Sequence, residues 1–170
     1  MSEHPLVGLA RKTIETYLKE KRVIDPPAEL TPEMREKAGV FVSLHRNGDL
    51  RGCIGTFRAT TGNVAQEIIH NAIESSTRDP RFLPMTPEEL EGLEISVDVL
   101  SLPEPAASKA ELDPSCFGCI VKAGGRRGLL LPDLPGVETP DQQIEICKSK
   151  AGIGENEKVE LFKFKVRRYH

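Results

Sequence analysis

The sequence predicts an α+β fold built on antiparallel sheets. Three observations carry this. Two segments read as β-hairpins, the helical stripes never alternate with strands in a βαβ series, and a late segment alternates apolar and charged residues. At 170 residues the chain suits one domain, 1–170, and can bury a core without disulfides or metal.

The elements follow in order. Leu6, Leu9, Ala10, Ile14, Tyr17 and Leu18 recur at helical spacing, which predicts an amphipathic helix from Pro5 to Ile24, stopped by Pro26-Pro27. Thr31-Pro32 opens a short helix to about Lys37, with proline at the first helical position. The two runs Val40–His45 and Leu50–Gly55 flank Asn47-Gly48, the pair favoured in two-residue hairpin loops because both positions take positive φ. Asn63 and Gln66 resemble a capping box, and Ala65, Ile68, Ile69, Ala72 and Ile73 form the stripe of a helix that fades near Thr77. Thr86-Pro87-Glu88-Glu89 starts another short helix, and Ile95, Val97 and Val99 mark a half-buried strand over 94–101. The Pro/Ala-rich stretch 103–114 reads as a connection. Residues 119–122 and 128–131 form a second hairpin, Thr139-Pro140 caps a helix that Gly152 ends, and Phe162, Phe164 and Val166 define a closing strand.

Composition excludes several classes of function. Lys and Arg total 23 against 26 Asp and Glu, a net charge of -3, which argues against a dedicated nucleic-acid binder. The start Met1-Ser2-Glu3-His4-Pro5 has neither a basic n-region nor an apolar h-region, and apolar runs such as 116–121 are too short to cross a bilayer. The expected location is the cytoplasm. There Cys53, Cys116, Cys119 and Cys147 are expected as thiols or ligands, not as a disulfide framework.

The segment Arg51-Gly52-Cys53-Ile54-Gly55 carries the chemistry. In an unbulged hairpin, Leu44 opposes Arg51 and Val42 opposes Cys53, so Arg51 and Cys53 share a face and His45 lies on the other; a bulge would reverse this. A guanidinium beside a thiol favours the thiolate. Glycine weakens a strand, so Gly52 and Gly55 point to a bulge or to close approach by a ligand or another strand. Three readings of Cys53 stand at this point: a packed core thiol, a reactive thiol, or part of a binding surface.

The run Gly39-Val40-Phe41-Val42 with Leu50-Arg51-Gly52-Cys53-Ile54-Gly55-Thr56 resembles the signature of the AMMECR-type domain, known in prokaryotes as AmmeMemoRadiSam system protein A. Asp79-Pro80-Arg81-Phe82-Leu83-Pro84, Glu94–Val97, Gly128–Pro132 and Lys150-Ala151-Gly152 follow in the same order, so the resemblance spans nearly the whole chain. It implies a two-lobed fold whose larger lobe contains both termini, the middle of the chain making the smaller. It also implies a cleft lined by the motif residues, and Memo-like and radical SAM proteins as partners. It implies no established reaction, and no cofactor is expected.

Other candidates are weaker. Cys116-x-x-Cys119 is half of a zinc spacing without its other half, so no metal is expected. Asp79-Pro80-Arg81-Phe82 is either a structural turn with Phe82 as core anchor, or a loop whose Arg81 grips a carboxylate or phosphate. His70 with Glu67 and Glu74 reads as a solvated helix face, Cys147 as core. Lys163, Lys165, Arg167 and Arg168 read as protection of a strand edge.

Two functions follow. One is a binding or adaptor component holding a peptide or small anion in a cleft near Gly52, Gly55, Asp79, Arg81 and Phe82. The other is an enzyme with Cys53 as thiolate nucleophile and Arg51 as its stabiliser.

Overall fold

The computed structural model describes residues 2–170. The chain divides into two compact units, one running to Leu100 and taking back Arg167–His170, the other comprising Ser101–Val166.

The first unit holds a four-stranded sheet against helices. Helix α1 (Pro5–Glu20) buries Leu6, Leu9, Ala10, Ile14 and Leu18. It stops four residues before the expected Ile24, because Lys21 turns left-handed at φ 55° and donates its N–H to Tyr17 O at 2.9 Å. Helix α2 (Pro32–Arg35) is likewise shorter than predicted. Strands β1 (Val40–Arg46) and β2 (Asp49–Gly55) form the expected hairpin, with Asn47 and Gly48 both at positive φ. Helix α3 (Val64–Thr77) starts where Asn63 Oδ1 accepts from Gln66 N at 2.9 Å. A single 3₁₀ turn at Pro87–Leu90 precedes β3 (Leu93–Leu100).

The second unit contains β4 (Glu104–Ala106), a 3₁₀ turn at Lys109–Glu111, β5 (Gly118–Ala123), β6 (Arg126–Leu130), helix α4 (Pro140–Ala151) and β7 (Glu160–Phe164). Its sheet order is β4-β7-β5-β6, every adjacent pair antiparallel. Leu112, Cys119, Val121, Leu130, Cys147 and Ile153 form its core. Cys147 is therefore core, as its stripe predicts. At Gly118 a Cβ would lie 2.1 Å from the ring of its cross-strand partner Phe164, so this glycine is the seat of an aromatic ring.

Two expectations are corrected. Glu104–Ala106 is a strand and not only a connection. The single closing strand divides at Lys165 into β7 and β8 (Val166–Tyr169), which belong to different sheets. The cause is local: Lys165 N donates to Ser101 Oγ and Ser101 N to Lys165 O, both at 2.8 Å, which removes Lys165 from either ladder. The four basic residues accordingly do not guard one edge. Lys163 sits on an interior strand, 4.9 Å over the Phe117 ring, while Arg167 pairs with Glu36 and Arg168 with Asp98.

The first sheet has the order β2-β1-β3-β8, so β2 lies at its edge. Val40, Val42 and Leu44 of β1 are fully buried and face the helical core. Among the described residues no helix is long and apolar enough to cross a membrane.

Candidate functional site

The register of the hairpin differs from the unbulged expectation. Arg46 pairs with Asp49 and His45 with Leu50, but the ladder then slips, pairing Leu44 with Gly52 and Ser43 with Cys53. Arg51 is the extra residue of a β-bulge, a device that bends an edge strand and re-aims its side chains. The slip reverses the facial assignment. Cys53 shares a face with Ser43, and by alternation with Phe41 and His45, while Val42 and Leu44 go to the core. The Cys53 Sγ and Ser43 Oγ lie 3.3 Å apart. Cys53 is half-buried.

The glycines are explained by approaches within the protein. A Cβ on Gly52 would stand 2.2 Å from the Ser75 carbonyl oxygen, so α3 rests against the strand there. A Cβ on Gly55 would stand 2.3 Å from the ring of Phe41, its cross-strand partner.

Helix α3 adds a buried polar ladder with one member per turn. Ser75 Oγ lies in the β1–β2 seam, accepting from Ile54 N at 2.9 Å and donating to Val42 O at 2.8 Å. Asn71 Nδ2 donates to Val40 O at 2.9 Å. Glu67, fully buried, accepts from Thr56 Oγ1 at 2.7 Å, Thr61 N at 2.6 Å, and both the amide and hydroxyl of Thr60. Burial alone would raise its pKa, but these donors together hold the carboxyl below the ordinary range. The solvated face expected for Glu67 is thus wrong, although His70 is exposed. Residues at i, i+4 and i+8 with polar side chains on an apolar helix were the available signal.

The segment after α3 lies along the edge of β2. Asp79, 4% exposed, accepts from Cys53 N at 3.0 Å, from Arg81 Nη2 at 2.8 Å and from Arg81 Nε at 3.0 Å. Arg81 Nη2 also donates to Cys53 O at 3.2 Å. Burial works against the charge on Asp79, but the bonds from Arg81 and the Cys53 amide prevail and lower its pKa to about 2.

Arg51 does not stand guard over the thiol as its main task. Its Nε and Nη2 reach Glu89 at 2.8 and 3.1 Å, and Nη2 donates to Leu83 O at 2.8 Å. The bond from Arg51 is the chief cause of the lowered Glu89 pKa. Glu89, the acid of the expected Thr86-x-x-Glu89 start, also accepts from Thr86 N at 2.8 Å and so completes a capping box; its bond to Arg51 was not foreseen.

Phe82 is half-buried and lies outside the hydrophobic core cluster, which corrects its expected role as core anchor. The anchor is Met85, 4% exposed, whose N–H donates to Ser76 O at 2.8 Å. The Arg81 and Arg51 guanidinium carbons stand 5.5 and 5.8 Å from the Phe82 ring centre. Leu83 beside it is 83% exposed. The motif residues Arg51, Gly52, Cys53, Asp79, Arg81 and Phe82 are therefore brought together, with Gly55 two positions beyond Cys53.

The remaining candidates fall elsewhere. Cys116 is exposed and its thiol donates to Asp113 at 3.5 Å, whereas Cys119 is fully buried. Contact with Cys119, together with burial, pushes the Cys147 thiol above its ordinary value. A groove of about 350 Å³ runs between α1 and α3, lined by Tyr17, Ile24, Ile69, His70 and Ile73, and no motif residue contributes to it.

Comparison with known proteins covers nearly the whole chain. The family model described as AMMECR1 matches residues 7–170. A protein of Thermotoga maritima is 48% identical over 172 residues, covering 99% of each chain. A Clostridium acetobutylicum protein is 48% identical over 167 residues, covering 97% of this chain but only 36% of its own length. The crystal structure of an uncharacterized protein from Pyrococcus horikoshii has 35% sequence identity and a TM-score of 0.89, covering 96% of this chain and 88% of that one.

Proposed function

Because the chain belongs to the AMMECR1 family, we propose that it is a binding or adaptor component that works with Memo-like and radical SAM proteins in the cytoplasm. It holds a peptide or small anion at the surface made by Arg51–Gly55 and Asp79–Phe82. The observation that carries this reading is the way the motif's polar groups are already employed. The N–H groups of Cys53 and Ile54 are donated to Asp79 and Ser75, and Arg51 is held by Glu89 and Leu83 O. Such groups build a preorganised surface more readily than an oxyanion hole, whose donors must be available to developing charge. What this frame presents outward is Leu83, the Phe82 ring and the half-exposed guanidinium of Arg81. An apolar group beside a cation suits a peptide or a small organic anion.

A second reading is an enzyme with Cys53 as nucleophile. It is favoured by the half-buried thiol at 3.3 Å from a hydroxyl on the face away from the helical core. Titration calorimetry with the Memo-like and radical SAM proteins of the same organism tests the binding reading, and a turnover assay on the same variants separates it from the second. The binding reading expects Cys53→Ser to bind as the parent does and Arg81→Ala to lose at least about tenfold in affinity. Retained binding with lost turnover in Cys53→Ser supports the enzyme.

A further inference from the structure

The bulge at Arg51 brings together three side chains that an unbulged hairpin would separate. Cys53 on β2 pairs with Ser43 on β1, and His45, two residues along β1, is on the same face. Glu94 on β3 directly opposes His45. Three adjacent strands thus set a thiol, an imidazole and a carboxylate in a row on one sheet face. We propose that His45 is the proton acceptor for Cys53, with Glu94 orienting the imidazole. This inference rests on the thiol reading of the site.

The geometry permits it without moving the backbone. Side chains diagonal across an antiparallel pair have their Cβ atoms about 7–8 Å apart, a gap an imidazole and a thiol close between them by rotation. Directly opposed residues stand about 5 Å apart, so Glu94 can hold the far ring nitrogen. The Cys53 thiol contacts the Ser43 hydroxyl at 3.3 Å in this structure, and the contact with His45 forms when the imidazole turns toward it. The step is a proton transfer: the Cys53 S–H bond breaks, an N–H bond forms on His45, and a thiolate–imidazolium pair results. With iodoacetamide as the electrophile, the thiolate forms a C–S bond as the C–I bond breaks and iodide leaves.

Other charged groups surround the thiol and enter the same titration. Arg81 touches the Cys53 carbonyl at 3.2 Å and Asp79 its amide at 3.0 Å. Arg51 of the same strand is paired with Glu89, and Asp98 of β3 with Arg168. Arg46 of β1 also reaches Glu89, at 3.9 Å, so that cluster carries two guanidiniums against one carboxylate. His45 and Glu94 are the titratable side chains on the face of Cys53 that belong to none of these pairs.

The test is the rate of Cys53 alkylation by iodoacetamide against pH, resolved by mass spectrometry, in the parent, His45→Asn, His45→Gln, Glu94→Gln and Arg81→Ala proteins. Circular dichroism of each confirms the fold. The parent is expected to show an inflection below the ordinary thiol value of about 8.5. Both His45 variants are expected to shift it upward and to lower the rate at pH 7 about tenfold, and Glu94→Gln less. Superimposable profiles for the parent and both His45 variants overturn the proposal, as does a parent inflection at or above the ordinary value. A loss confined to Arg81→Ala also overturns it, since activation would then belong to the guanidinium. No partner takes part in this measurement, so its failure leaves the binding reading untouched.

Discussion

The Cys53 backbone is bonded on both sides by one ion pair: its N–H donates to Asp79 at 3.0 Å and its C=O accepts from Arg81 at 3.2 Å. β2 is an edge strand, and these are the two bonds a neighbouring strand would make at that residue. Two side chains therefore supply one rung of an absent strand. They close the edge against unwanted pairing and fix the residue at the centre of the motif.

The pair has a defined pH signature. The Asp79 pKa is held at about 2 in the folded protein, against about 3.9 for an ordinary aspartate. The folded value is the lower, so the stabilisation is fully present above about 3.9 and is lost as pH falls through the folded value. Asp79→Asn should cost about 2 kcal/mol at pH 7, discounted for the half-exposed Arg81, and the difference should shrink toward pH 2. Urea unfolding of parent and variant across this range checks it.

Gly52→Ala should destabilise the first unit by about 3 kcal/mol or more. The added methyl would stand 2.2 Å from the Ser75 carbonyl, a backbone atom that cannot rotate away. Gly125→Ala on the second hairpin, where nothing lies within 4 Å, is the control and should melt close to the parent.

Glu67→Gln should lower stability by about 2 kcal/mol, because an amide nitrogen replaces one of two oxygens that accept only from donors. Residues 56–61, which Glu67 ties to α3, should then exchange their amide hydrogens faster, as hydrogen–deuterium exchange would show.

Much of this fold was legible from local rules. Asn47-Gly48 located the hairpin, and Asn63 and Thr139 located the starts of α3 and α4, because turns and caps are set by a few neighbouring residues. The α+β class with antiparallel sheets followed from the hairpins and the absence of a βαβ series. What escaped depended on distant partners. The bulge at Arg51, which the glycines left open as one alternative, is accompanied by Glu89 and Leu83 taking its guanidinium and by α3 pressing on Gly52, contacts that a two-strand argument does not contain. The division of the last strand at Lys165 depends on Ser101, far away in sequence. The site was legible as a set of residues, since the motif and the Asp79–Phe82 turn do meet. Its wiring was not: Arg81 holds the Cys53 backbone where Arg51 was expected to serve the thiol, and Glu67, Asn71 and Ser75 support it from within α3.

Arg51→Ala should release the 79–90 segment while leaving β1 and β2 paired. Its guanidinium joins Glu89 to Leu83 O, so amide exchange should rise over 82–90, with a loss of about 1–2 kcal/mol in stability. Faster exchange throughout β1 would show instead that Arg51 supports the sheet.

The most direct test of the central claim, a binding surface at Arg51–Gly55 and Asp79–Phe82, is calorimetric titration of the Memo-like protein of the same organism into the parent, Cys53→Ser and a Phe82→Ala/Arg81→Ala double variant. Parent and Cys53→Ser should bind with equal affinity, and the double variant with at least about a tenfold loss. Equal affinity in all three would contradict the claim.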